Sequence, residues 1–198
     1  KVRVDSPKRG DRRALVDLAT RNAEHGFLER EQKTGASRQA LVHIKEQLGL
    51  RAIPIRIECY DISNFQGAEM VASRVVSLHG EPKKALYRRY KIKELEGQDD
   101  FGAMKEVLHR RLKRGLAEND LPDLIVLDGG RGQLNVGAEV LEALDLRDLD
   151  LVALAKSRVI GTSEEDASVR SDERVFTRNS HEPIIFPRGS DELRILTR

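Results

Sequence analysis

From residue 53 the chain alternates, with Ile53, Ile55, Ile57 and Cys59 on one side and Pro54, Arg56, Glu58 and Tyr60 on the other. A period of two predicts a strand buried on one face. Residues 70–78, rich in Val and Ser, predict a second strand. The turn His79-Gly80-Glu81-Pro82 leads into a third over residues 85–92, with Tyr87 and Tyr90. Short connections between sequential strands make these an antiparallel meander. Residues 123–127, Asp-Leu-Ile-Val-Leu, form a continuous apolar run of the kind found in buried parallel strands. Residues 149–155, 173–177 and 183–186 predict three further strands.

Helical spacing lies on either side of this region. Leu15, Leu18, Ala19, Ala23 and Leu28 predict a helix over residues 11–30 with Asp11 as N-cap. Leu41, Ile44 and Leu48 predict a second over residues 37–48, capped by Ser37 and stopped by Gly49. Phe101, Met104, Val107, Leu108 and Leu112 share one face of a helix that begins at Asp99-Asp100. Another runs over residues 133–144, and a last one starts near Ser190 and is cut off at Arg198. The order β-β-β-α-β-α-β predicts an α/β fold: a ribonuclease H-like mixed sheet flanked by helices. Residues 1–52 are expected to form a helical N-terminal extension, and residues 53–198 the main domain.

Composition narrows the class. With 198 residues, 34% charged and 39% apolar, the chain can bury one sizeable core. It has no apolar run near the ~18–20 residues of a membrane span. The opening Lys1-Val2-Arg3-Val4-Asp5-Ser6 lacks both Met and a signal-peptide stretch, so a piece of a longer, cytoplasmic protein is expected. Cys59 is the single cysteine, and no Cys/His cluster has zinc-ligand spacing. Residues 83–114 hold eleven Lys and Arg against five Asp and Glu, and residues 116–150 are acidic. A basic block beside an acidic one suits a polyanion next to a cation site, although a charge run is more often a solvated face.

Asp61 and Asp128 each end a predicted strand, Asp128 just before Gly129-Gly130. Ligand sites gather at the carboxyl ends of parallel strands, and two carboxylates there can share Mg²⁺ or Mn²⁺. Alone, either Asp reads as turn or cap chemistry; as a pair in this element order they read as a metal site. Of Asp99 and Asp100, one caps the helix and the other reaches toward the metal. Glu58 shares the face of Tyr60 and is a weaker ligand. Lys84, Lys93, Arg110, Arg111, Lys113 and Arg114 can bind phosphates. Arg131 and Gln133 follow the Gly-Gly turn at a helix N-terminus that suits an anion. His181 lies in a polar turn, and Cys59, inside a strand, reads as core rather than nucleophile.

Four ordered segments then point to a family. They are Ile57-Glu58-Cys59-Tyr60-Asp61-Ile62-Ser63, Tyr87-Arg88-Arg89-Tyr90-Lys91-Ile92-Lys93, Gly97-Gln98-Asp99-Asp100-Phe101 and Leu127-Asp128-Gly129-Gly130-Arg131-Gly132-Gln133-Leu134. Together they resemble the C-terminal endonuclease region of UvrC, the incision subunit of bacterial nucleotide excision repair. Leu154-Ala155-Lys156 and residues 182–188 extend the match. The resemblance implies a ribonuclease H-like, divalent-metal-dependent endodeoxyribonuclease that cuts 5′ to a lesion. It implies Asp61, Asp128 and Asp100 as catalytic acids; the mechanism expected from the residues puts the first two on Mg²⁺ or Mn²⁺, with Lys93, Arg110, Arg111, Arg114 and Arg131 steadying the DNA backbone. It implies damaged double-stranded DNA, UvrB and, indirectly, UvrA as partners, with no membrane. It also implies a histidine in the final helix, expected past Arg198, so that a chain ending there is expected to be impaired. The alternative of another class is a catalytically silent DNA- or protein-docking module.

Overall fold

The computed structural model describes residues 7, 9–65, 69–92, 99–156, 159–160, 169–170 and 172–197. The first element is one helix, α1 (Asp11–Leu48), not the expected two. It contains no proline, and Gly26 and Gly35, at about 1 kcal/mol each, do not break it. Its N-cap is Gly10 rather than Asp11, and Ser37 lies buried in mid-helix. Gly49 ends it in the left-handed conformation at φ 63°. α1 crosses the next hairpin closely: a Cβ on Gly80 (φ 78°) would lie 2.9 Å from that of Ser37.

The chain continues through β1 (Arg56–Phe65), β2 (Glu69–Leu78), β3 (Glu81–Pro82), a 3-10 turn at Lys84–Leu86 and β4 (Arg88–Lys91). The third strand expected over residues 85–92 is thus observed only as β4, its start being taken by the 3-10 turn, while the expected turn at residues 79–82 carries the short β3; both strands are antiparallel to β2. There follow α2 (Asp100–Glu118), β5 (Leu124–Asp128), α3 (Arg131–Ala143), β6 (Asp150–Ala155), β7 (Val159–Ile160), β8 (Val169–Arg170), β9 (Arg174–Thr177), β10 (Ile184–Ile185) and α4 (Asp191–Leu196). Eight strands form one sheet in the order β10-β9-β6-β5-β1-β2-β3, with β4 also on β2; β7 and β8 pair separately. β1, β5 and β6 run parallel to one another. The remaining pairs are antiparallel, so the mixed α/β sheet expected from the element order is the one observed.

Helices cover both faces. Ile57, Val126, Val152, Leu154 and Val175 lie under Leu41, Ile44 and Leu48 of α1 and Leu193, Ile195 and Leu196 of α4. Tyr60, Ile125, Leu127, Leu151 and Ala153 lie under Met104, Leu108 and Leu112 of α2 and Leu134 and Leu141 of α3. The apolar run of β5 follows from this, since Leu124 to Leu127 are all buried. β1 was expected to be buried on one face; its central position buries both, Ile57 and Glu58 alike at 0% exposure. Phe101, counted with the apolar face of its helix, is 48% exposed and lies over Gly132 at the start of α3.

Candidate active site

Side chains alternate along a strand, so Asp61 falls on the face of Ile57 and Cys59, and Asp128 on that of Leu124 and Val126. Both faces look toward α1 and α4. In the parallel β1–β5 ladder Tyr60 pairs with Leu127, and Asp61 and Asp128 are the next residues on each strand. The half-buried carboxylates line one pocket of about 210 Å³ with Cys59, Ser73, Lys156, Leu196 and Thr197. Ser73 is the cross-strand partner of Asp61 on β2.

Local contacts hold each acid. Ser63 Oγ donates to Asp61 Oδ2 at 2.9 Å. Lys156 Nζ, one residue past β6, donates to Asp128 Oδ2 in an ion pair. After Asp128 the chain turns sharply. Gly129 takes φ 146°, its N–H donates to Leu154 O at 2.9 Å, and a Cβ there would strike Gln133. Gln133 Oε1 in turn accepts from Gly130 N–H at 3.1 Å, fixing the start of α3.

Burial raises the Asp128 carboxyl above its ordinary range; the Lys156 ion pair opposes this, and the neighbouring Asp61 carboxyl reinforces it. Asp128 raises Lys156 in return through the same hydrogen bond. A carboxylate whose ionisation is opposed by burial and by a neighbouring acid, as at Asp128, forms a place where added positive charge is favoured. Burial pushes the Cys59 thiol up to about 12, with the fields of Glu58 and Asp128 adding to it, so this thiol is not a ready nucleophile.

The other residues singled out in the sequence are spread more widely. Asp99 is the N-cap of α2 and accepts from Gly102 N at 2.9 Å; Asp100 follows it, exposed, in the first turn and does not line the pocket. Among the described residues, no group of three His, Cys, Asp or Glu is arranged to hold a metal. Lys93 lies outside the described residues. Arg110 pairs with Glu106 at 2.7 Å, and Arg114 with Glu118 at 2.8 Å. Arg111 is 5% exposed and donates to Glu58 at 2.7 Å and Asp120 at 3.2 Å. Arg131 donates to the carbonyls of Ser180 and His181 and lies 5.4 Å over the Phe176 ring, so it anchors the loop after β9. His181 is exposed in that loop.

Lys156 was not singled out as a site residue by sequence reasoning. The available signal was its place: like Asp128, it is a polar residue at the carboxyl end of a parallel strand, whereas Asp61, expected to end β1, lies within it because β1 continues to Phe65 along β2.

Residues 45–198 match the model of the family described as "UvrC RNAse H endonuclease domain". The chain belongs to the UvrC ribonuclease H endonuclease domain family. It is similar to the UvrABC system protein C of Syntrophotalea carbinolica, 46% identical over 199 aligned positions that cover 100% of this chain and 32% of that protein. It is likewise similar to that of Geotalea daltonii, at 44% over 198 residues, 100% of the chain and 32% of the relative. The chain thus spans about a third of the length of the curated relatives it matches. Solved structures with likeness include the Ciona intestinalis endonuclease V bound to inosine-containing DNA, with TM-score 0.42, 14% identity and 87% of each chain covered. Human endonuclease V gives 0.37, 16% identity and 86% of each chain. No described helix is long and apolar enough to cross a membrane.

Proposed function

We propose that residues 53–198 are the catalytic unit, with residues 1–52 a helical extension, of a nuclease that hydrolyses a phosphodiester 5′ to a lesion during nucleotide excision repair. The observation that carries this is the convergence of Asp61 and Asp128 in one pocket, just where the parallel β1–β5 ladder stops, with burial and the neighbouring Asp61 carboxyl raising Asp128. Two hard oxygen donors so placed fit Mg²⁺ or Mn²⁺, which need only one or two protein carboxylates besides water and phosphate. Bound there, the ion supplies a Lewis acid and a water of lowered pKa. Ser63 orients Asp61, and Lys156 holds Asp128 and adds positive charge where a phosphate enters. Asp100, with the N-terminus of α2, is a further acid of the reaction, and Lys93, Arg110, Arg111, Arg114 and Arg131 hold the DNA backbone without reading bases. Damaged double-stranded DNA and the other excision-repair subunits, UvrB directly and UvrA through it, are the partners.

One observation favours the docking-module reading instead: the Lys156 ion pair partly satisfies Asp128. Mn²⁺ titration of the chain, followed by electron paramagnetic resonance, separates the two. The nuclease reading expects saturable binding that Asp61→Asn and Asp128→Asn each abolish, together with metal-dependent cutting of a nicked or bubble DNA. Mn²⁺ uptake that both variants retain would sink it.

A further inference from the structure

On the opposite face of the sheet a second pocket, of about 310 Å³, opens between the start of β1, β4 and the second half of α2. Its floor is an ion network. Glu58, 0% exposed, accepts from Arg111 Nη2 at 2.7 Å, Arg56 Nη2 at 2.8 Å, Arg74 Nη1 at 3.5 Å and Tyr60 OH at 2.6 Å. Asp120 takes further bonds from Arg56 and Arg111. Arg88, Arg89, Arg110 and Arg114 stand around the mouth, with Arg110 5.9 Å over the Tyr90 ring.

The network is short of negative charge. Seven arginines line the pocket, against Asp120 and Glu118 in the lining, Glu58 beneath it and Glu106 beside Arg110. Seven guanidiniums face four carboxylates. It is short of acceptors too: the Nε atoms of Arg56, Arg74 and Arg111 are buried with no hydrogen-bond partner. Arg74 and Arg111 are 6% and 5% exposed, so water screens their charges poorly. A cluster of like charges, fixed in place and under-supplied with acceptors, opposes folding unless something offsets it. The planar forks of arginine match phosphate oxygens in pairs, and the number of guanidiniums favours an anion carrying several such oxygens.

We infer that this arginine pocket is a phosphate-binding site separate from the pocket of Asp61 and Asp128. Parity along β1 keeps the two apart, since Glu58 and Tyr60 face α2 whereas Cys59 and Asp61 face α4. The site deepens the backbone-holding part of the proposed function, but its existence does not depend on the metal site. The phosphate comes either from the DNA backbone or from a free oligophosphate, and the chemistry of recognition is the same.

The test is calorimetric titration of the whole chain with pyrophosphate at fixed salt, for the parent and for Arg89→Ala/Arg114→Ala. Both substituted side chains are exposed at the mouth, and equal thermal midpoints verify that the fold is kept. The expected result is binding by the parent and a loss of about tenfold in the variant. Asp61→Asn/Asp128→Asn is expected to leave this binding unchanged, which separates its outcome from that of the nuclease reading. A parent that fails to bind pyrophosphate, or a double mouth variant that binds it equally well, overturns the proposal. A labelled duplex then assigns the source. Competition by pyrophosphate, with a salt slope about 1–2 smaller in the mouth variant, identifies the DNA backbone. Duplex binding that pyrophosphate does not touch, alongside the arginine-dependent pyrophosphate binding, identifies a free phosphate.

Discussion

Lys156 and Asp128 form an ion pair across the carboxyl ends of two neighbouring parallel strands, β6 and β5. The lysine therefore stands where a cation held by Asp128 feels its charge. Replacing it by the neutral Lys156→Met is expected to tighten Mn²⁺ binding about threefold to tenfold. The estimate is kept low because the Lys156 side chain is 62% exposed and screened. Cutting is expected to weaken at the same time, because Asp128 loses its orienting partner. Calorimetry and a cleavage assay on one preparation give both numbers; weaker Mn²⁺ binding in the variant would contradict this role.

Glu58 is the hub of a buried network, and removing it leaves three guanidiniums with too few acceptors. Glu58→Ala is expected to lower the unfolding free energy by about 3–5 kcal/mol, the usual cost of stranding a buried charge. Urea denaturation measures it. A loss under about 1 kcal/mol would mean that water or a neighbour replaces the carboxylate.

The hydrogen bond from Arg56 holds the Asp120 carboxyl below its ordinary 3.8, and the fields of Arg56, Arg111 and Arg74 add to this against burial. An acid whose folded pKa is depressed contributes stability that is fully present above the unfolded value and is lost as pH falls through the folded one. The contribution of Asp120 should therefore be intact at neutral pH and disappear below about pH 4. Asp120→Asn is expected to flatten the stability profile in that acid window, which urea midpoints taken from pH 6 downward would reveal.

The two ends of α1 should respond differently to truncation. Ile44 is fully buried against the sheet, and Ile44→Ala is expected to cost about 2–5 kcal/mol. Leu15 is 65% exposed, and Leu15→Ala should stay within about 0.5 kcal/mol. Thermal melts of the two variants check the contrast, and equal shifts would contradict it.

Much of the frame was legible because its causes are local. The period of two at residues 53–60 and the unbroken apolar run before Asp128 describe how a backbone meets a core on one side or two. Asp61 and Asp128 stood out since both terminate such runs. Where the reading erred, a distant surface had decided the matter. Ser37 resembled an N-cap until α1 ran past it onto the β2–β3 turn. Phe101 fitted its helix face, yet it lies over Gly132. Glu58 read as a weak ligand because no local rule shows that Arg111, fifty-three positions later, will meet it.

The sequence by itself determined most of the element types, the α/β class and the place of Asp128 at the end of its strand. All of these follow from side-chain period and short-range turn chemistry. Only the tertiary structure decided that Lys156 meets Asp128, that the Cys59 thiol donates to the Leu196 carbonyl, and that seven arginines crowd around four carboxylates. Those relationships depend on strand register and helix docking, which bring together residues far apart in the chain, and no periodicity within a single element encodes them.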